Sequence, residues 1–499
     1  MSQPWMYPTF LLCVYGFFSS MRPLEPFLTA YLLGPDKNLT ETQVVNEMYP
    51  VWTYSYLALL FPVFLATDYL RYKPIIILQG ASFVVTYFML VQTQGMPAMQ
   101  VLEFFYGVAT ATEVAYYSYI YSVVESDQYQ RVTGYCRSIT LVGSSVGSLL
   151  GQVLVSAADV PLHYLGIGML VSSALAFIAP WFLPVASRSL FFHDSKCGPP
   201  AQEVVGKVAG APTESLGKEK VDEHECKKLL QQECPEVVTK VPEAGGESVS
   251  VFGVLRMLWG DFVHCYSSPT MLAWSVWWAL STCGYLQVVN YTQALWEKVL
   301  PSQEFMIYNG YVETVSTLLG ALAAFAVSFV KISWASWGEL ALCCFSVVIA
   351  VVMYLMDTIQ NIWVCYTCYI IFRATYMLLI TIATYQIAAA LSMRRYALVF
   401  GVNTFVALLL QTILTLIVVD TAGLGLDIFT QFLIYASYFA AIAVIFLVAG
   451  LYKVVARYGK ASSSPSDSSQ TESDSAGGSL TLRDTELTQV VEDKLQPQS

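Results

Sequence analysis

Apolar runs of about twenty residues recur along most of this chain, and they constrain its fold more than any single motif. As a helix, such a run is about 30 Å long, which matches the hydrocarbon thickness of a bilayer. Runs bounded by charged residues, Gly and Pro predict twelve spans, at 9–33, 51–70, 74–93, 97–124, 133–156, 160–184, 270–295, 307–330, 336–356, 360–391, 396–419 and 428–452. Charged residues make up only 12% of the sequence, roughly half the share in a soluble chain of this length. The reading is therefore an all-α membrane protein with twelve transmembrane helices, embedded in a lipid bilayer. The start, MSQPWMYPTFLLCVYGFF, has no basic n-region and no small-residue cleavage site. It reads as a retained first span, not a removable signal peptide.

A polar segment divides the spans six and six. Residues 1–184 form the expected first half and 269–455 the second. Residues 185–268 form a cytosolic linker, and 456–499 a cytosolic tail. Stretches such as KVAGAPTESLGKEKVDEHE and SSSPSDSSQTESDSAGGS hold too little apolar surface to fold alone, so both segments are expected to be largely disordered. The net charge of −11 is concentrated there and says little about partners. No basic patch with interleaved aromatics points to nucleic acid. Lys and Arg set the orientation: Arg71, Lys73, Arg131, Arg188, Lys196, Lys331, Arg394, Arg395, Lys453 and Arg457 lie on one side, and Lys37 and Lys298 on the other. The first side is expected to be cytosolic, along with both termini. Asn38-Leu39-Thr40 then becomes a glycosylation sequon in an outer loop, whereas the sequon at Asn290 lies inside a span and is expected to stay unmodified. Two long-linked sets of six spans suit the major facilitator architecture, in which two halves rock about a midplane site. The loop DYLRYKP resembles the acid-plus-base motif between the second and third helices of that superfamily. Gly143, Gly147 and Gly151 form one small-residue stripe, and Ser316, Gly320 and Ala324 another. Both read as tight packing or as a sliding seam between halves.

Most of the eleven cysteines fall inside spans, and the CxxC at Cys365 and Cys368 has no second pair. They read as buried small residues, without disulfide, metal or cofactor. The four histidines do not cluster. The spans hold no nucleophile–base or metal constellation, so an enzyme is not expected.

Charges within the spans are costly, so each one marks a possible site. The first span carries Arg22, Pro23, Glu25 and Pro26. The two prolines remove backbone donors and break the helix, which is tolerable where the span lines a cavity or packs on protein. Arg22 and Glu25 can pair or join a charge network. Glu113 and Arg137, toward the cytosolic ends of spans four and five, read as a salt bridge or gate, and Glu339 as structural. Arg373 belongs to the same charged set. Glu103 and Glu313 lie about two turns in from the outer face, in opposite halves. Tyr106 shares a helix face with Glu103, Tyr49 and Trp52 open span two, and Gln287 and Asn290 bring amides on span seven. Carboxylates, aromatic faces and amides at one level suit a flat, cationic heteroaromatic solute. A lipid-interface belt for the aromatics, and a buried pair of Glu103 with Arg22 or Arg373, are the competing readings.

From about Tyr7 to about Leu451, apart from the central loop, the chain resembles the folate and thiamine carrier family of the major facilitator superfamily. The resemblance is carried by RPLEPFLTAYLLGPDKNLT, YPVWTYSYLALLFPVFLATDYLRYKP, EFFYGVATATEVAYYSYIYSVV, YCRSITLVGSSVGS, VWWALSTCGYLQVVNYTQALWEKV and RRYALVFGVNTF. It implies plasma-membrane uptake of thiamine, with protons as the opposing coupling ion. It also implies ligand contacts from Glu103, Tyr106, Tyr49, Trp52, Glu25, Asn290 and Glu313. Leu24 replaces the small polar residue usual in the RPxEPF segment. Folate-carrying members place a lysine where this chain has Gln411, so the resemblance favours the cation over the folate anion. Rival readings are a carrier of another solute (pyridoxine, another organic cation or reduced folate) and a non-transporting receptor of the same fold.

Overall fold

The computed structural model describes residues 5–124, 129–185, 251–303, 305–327, 334–389, 391 and 393–462. The chain forms two units, Met1–Gly450 and Leu451–Ser499. Of the second unit, residues 451–462 are described and are helical. Most of the expected linker (186–250) and tail (463–499) lies outside the described residues, as do the side chains of Asp68, Glu339, Arg394, Arg395, Lys453 and Arg457. Arg188, Lys196 and Lys331 also fall outside them.

Fifteen α-helices are described: α1 Met6–Ser20, α2 Leu28–Leu33, α3 Tyr49–Tyr69, α4 Lys73–Gln92, α5 Met96–Ala111, α6 Glu113–Val123, α7 Tyr129–Ala158, α8 Leu162–Ile178, α9 Val251–Tyr266, α10 Pro269–Val299, α11 Asn309–Val327, α12 Trp334–Thr358, α13 Ile362–Ala389, α14 Met393–Leu414 and α15 Ile428–Ser462. There is no strand among the described residues. Among the described residues, eight helical stretches are long and apolar enough to cross a membrane. The other four predicted spans, one, four, seven and eight, are also helical, but they are interrupted or richer in polar and tryptophan residues. Those four carry every residue expected to bind the solute except Tyr49 and Trp52. α9 begins inside the segment read as linker. Its Tyr266 hydroxyl donates to Asn403 Oδ1 on α14 (2.7 Å) and ties it to the bundle.

The first span is broken where its prolines lie. α1 ends at Ser20, a short 3-10 turn covers Glu25–Phe27, and α2 resumes at Leu28. Freed backbone groups in a dry interior must find partners. They find them on the second half of the chain. Gln293 on α10 accepts from the Thr29 N–H (3.2 Å) and donates to the Glu25 carbonyl (2.7 Å). Asn309, opening α11, donates to the Pro26 carbonyl (3.0 Å). Leu24 and Phe27, both fully buried, anchor the break in the core.

The glycine stripe on α7 packs against this break. A Cβ on Gly143 would lie 2.5 Å from the Phe17 carbonyl oxygen, and one on Gly147 would lie 2.6 Å from the Arg22 nitrogen. Gly151 faces the Pro23 carbonyl. The stripe therefore contacts the first span of its own half. On the second stripe, Gly320 faces Met377 of α13, again within one half. The contact between halves along α7 and α11 uses other residues. Gln152 donates to the Ile307 carbonyl and accepts from the Gly310 N–H (both 2.8 Å), and Thr314 donates to the Ser145 carbonyl (3.4 Å). Backbone cannot give way as a side chain does, so Gly147→Ala should lower stability by about 1–3 kcal/mol through overpacking. Thermal unfolding of the purified protein checks this. Gly168→Ala is the control, because its Cβ would meet only Pro23 Cγ at 3.8 Å.

Candidate functional site

Span two and span four form one wall of the site. Gly107 on α5 leaves room for the Ser55 side chain of α3, so the two helices approach closely. Their aromatic faces then meet. Trp52 and Tyr106 have ring centroids 6.2 Å apart, and the Trp52 indole N–H donates to Thr110 Oγ1 (3.1 Å). Phe83 of α4 adds a third ring, 6.3 Å from Tyr106. The Arg22 guanidinium sits over Phe83 at 4.7 Å and donates to the Tyr106 hydroxyl (3.0 Å) and to Glu25 Oε1 (3.3 Å). Arg22 and Glu25 are thus an ion pair lodged against the aromatic wall. The Glu25 side chain remains half exposed, at 46%.

Tyr49 carries the wall toward the second half. Its hydroxyl shares a hydrogen bond with Thr29 Oγ1 (2.9 Å), just past the break, and its ring lies 6.0 Å from Tyr291 on α10. Asn290 precedes Tyr291, and its Nδ2 is buried without a hydrogen-bond partner. Gln411 on α14 is fully buried, and both of its amide atoms lack partners. Gln287, by contrast, is engaged with Thr415 (3.0 Å) and joins α10 to the end of the predicted eleventh span.

The acids divide into two kinds. Glu313 is ion-paired with Arg373 of α13 and accepts from the Tyr369 hydroxyl (2.8 Å). Its charge is therefore neutralised from within its own half. Glu103 is 5% exposed and has no hydrogen-bond or ion-pair partner among the described residues. It lies one turn before Tyr106 on the same face of α5. The rival pairing of Glu103 with Arg22 or Arg373 is not formed, because each arginine is held by another acid. Glu113 and Arg137 make no salt bridge. The Arg137 guanidinium instead lies over the Tyr117 ring at 5.2 Å. Asn38 is exposed, in a left-handed conformation (φ 52°) in the loop after α2. Among the described residues, no group of three His, Cys, Asp or Glu is placed to hold a metal ion.

Tyr106, Trp52, Arg22 and Glu25 therefore form one continuous cluster, with Glu103 beside it. Tyr49 faces the second half at Tyr291, and Glu313 belongs to a separate cluster with Arg373 and Tyr369. Sequence reasoning missed Phe83, Gln293, Asn309 and Gln152. Gln293 had a signal: Gln287, Asn290 and Gln293 place an amide at every third position of α10. Asn309 and Gln152 had none: neither lies in a periodic run of amides, and the groups they hold across the halves are backbone atoms.

A family description for the reduced folate carriers matches residues 3–434. The chain belongs to the reduced folate carrier family. This carrier is 61% identical to human thiamine transporter 1 over 474 residues, covering 93% of each chain. It is 50% identical to human thiamine transporter 2, covering 91% of each. It is 40% identical to the human reduced folate transporter, covering 90% of this chain and 72% of that one. Among solved structures, a POT family transporter aligns at TM-score 0.58 and 10% identity, covering 88% of this carrier and 95% of that chain. The nucleoside transporter NupG aligns at TM-score 0.54 and 13% identity, covering 89% and 99%. These likenesses show the fold, which is of the major facilitator type. The curated relatives are named as transporters, and this carrier is a membrane transport protein and not an enzyme.

Proposed function

We propose that this carrier takes up thiamine across the plasma membrane by alternating access. The observation that carries the proposal is Glu103, a buried carboxylate with no cation of its own beside the Tyr106–Trp52 wall. An uncompensated buried charge is unfavourable unless something neutralises it. A cationic ring system does so and also stacks on the aromatics, each cation–π contact adding up to about 2 kcal/mol when dry. Thiamine joins a thiazolium cation to a flat aminopyrimidine and matches both features. The names of the relatives at 61% and 50% identity support the same substrate. The neutral Gln411 supports a cation over a reduced folate.

Glu103, Tyr106, Trp52 and Tyr49 form the proposed binding set, with Glu25, Asn290 and Glu313 at its margins. Residues 1–184 and 269–455 are the two rocking halves, joined by the 185–268 linker, with both termini and the 456–499 tail cytosolic. Asn38 is the proposed glycan acceptor; Glu113, Arg137, Arg22 and Arg373 are proposed as charge-network or gate residues, with Arg22 paired to Glu25 and Arg373 to Glu313 rather than to one another. The proposed energy source is a proton leaving as thiamine enters.

Labelled thiamine flux into proteoliposomes tests this. The expected result is saturable uptake that unlabelled thiamine suppresses and reduced folate does not. Uptake should accelerate when the vesicle interior is more acidic than the medium. Competition by reduced folate without thiamine uptake would overturn the substrate. Uptake indifferent to the pH gradient would overturn the coupling.

A further inference from the structure

Among the described residues, the hydrogen bonds between the two halves gather toward one end of the bundle. Besides those of Gln293, Asn309, Gln152 and Thr314, the Tyr54 hydroxyl donates to Asp420 (2.5 Å) and Asn46 donates to the Val419 carbonyl (2.5 Å). Gln303 donates to the Leu33 carbonyl (3.5 Å), and Lys298 pairs with Glu41 (3.1 Å). All of these lie between the middle of the bundle and the end that carries few basic residues. Together they close the basic-poor end in this state.

Within that closure, Gln293 differs from the rest. It engages two backbone groups at the break: the Glu25 carbonyl, which also accepts the Leu28 N–H, and the Thr29 N–H, which an unbroken helix would have bonded to that carbonyl. Asn309 holds a third, the Pro26 carbonyl, and is itself oriented by the Tyr366 hydroxyl, which donates to its Oδ1 (2.7 Å). The clamped stretch leads directly into the binding wall. The Glu25 side chain holds Arg22, Arg22 holds Tyr106, and Thr29 holds Tyr49. One side chain of the second half thus fixes the backbone from which two aromatic groups of the site are positioned. It can do so only while this end is shut.

We propose that Gln293, supported by Asn309, is a positioning residue of the transport cycle. It is an amide clamp that locks the broken first span to the second half, and a cationic cargo favours it by drawing the Tyr49–Tyr106 wall into place. The link to cargo rests on the thiamine reading, whereas the clamp itself does not. The break acts as a two-state element: its freed backbone groups face water when this end is open and Gln293 when it is closed. Breaking two hydrogen bonds should shift the closed-to-open ratio roughly tenfold.

The test uses the full-length carrier in intact cells. The substitution Ala30→Cys places a thiol on α2, the short helix that packs on α10, where Ala30 is 5% exposed. Its labelling by a membrane-impermeant maleimide is compared with that of carrier lacking A30C. Without cargo, Gln293→Ala should raise the labelling rate about tenfold, and Asn309→Ala should raise it less. Thiamine should slow labelling when Gln293 is present and have little effect in Gln293→Ala. Uptake by Gln293→Ala should show a lower maximal rate without a raised KM. If neither variant speeds labelling, the clamp is wrong. If both speed it but thiamine neither slows labelling nor enters the cell, the clamp stands and the thiamine reading fails. Were Gln293→Ala to fold poorly, the labelling rate of Asn309→Ala would decide between clamp and no clamp in the same way.

Discussion

Glu103→Gln abolishes saturable thiamine uptake while the protein still reaches the cell surface; this is the largest functional effect expected here. The change keeps size and shape and removes only the charge. In the closed site that charge faces no cation of the protein, so its whole electrostatic attraction is available to cargo. Truncating one partner of a desolvated charge contact typically costs about 2–5 kcal/mol, roughly thirtyfold to several thousandfold in affinity. The sign of the stability change separates this role from a structural one. A buried carboxylate without a partner destabilises the empty protein, so Glu103→Gln should raise its thermal midpoint. Thiamine should stabilise the native carrier by mass action and leave the variant unmoved. The check is thermal unfolding of both proteins with and without thiamine, beside uptake of labelled thiamine in cells. Normal uptake by the variant would sink the site assignment. A fall in the ligand-free midpoint would show that Glu103 has a structural partner.

Arg373→Met carries the largest expected loss of stability. Arg373 and Glu313 are paired, and their side chains are 13% and 19% exposed. Removing the arginine leaves Glu313 with only the Tyr369 hydroxyl as support. Breaking a buried pair on one side costs about 3–5 kcal/mol, enough to remove much of a membrane carrier's surface expression. Replacing both partners, as Arg373→Met with Glu313→Gln, should restore most of it, because no lone charge remains. Surface biotinylation and thermal unfolding of the single and double variants check this. Equal stability of Arg373→Met and the native protein would refute the pairing. Uptake by the double variant then shows whether the pair also contacts cargo. A merely structural pair leaves KM near its native value, and a ligand-contacting pair raises it.

The membrane class, the general positions of the helices and the sites of the intramembrane charges were legible in the sequence. Each depends on properties local to a single segment: hydropathy over about twenty residues, proline without a backbone donor, charge that cannot sit in lipid. The acidic and aromatic make-up of the Glu103 region was also legible, because Glu103 and Tyr106 share one helix face and Tyr49 and Trp52 another. Partnership was legible only within one segment, as for the i, i+3 pair of Arg22 and Glu25, and not between helices. The sequence offered Glu103 and Glu313 as equivalent counter-charges. Folding pairs Glu313 with an arginine sixty residues away on α13, and gives Glu103 none. The glycine stripe of α7 announced a close helix contact without naming its partner, which is the broken first span. That break was an oddity in one segment. Its stability comes from Gln293 and Asn309 of the other half; the amide spacing on α10 marked Gln293 as notable but named no partner, and nothing near Asn309 in sequence marked it at all. Residue type and spacing thus determined which groups are costly to bury, while only the approach of distant helices decided which group relieves each cost, because hydrogen bonds and ion pairs depend on contact distances that no single helix contains.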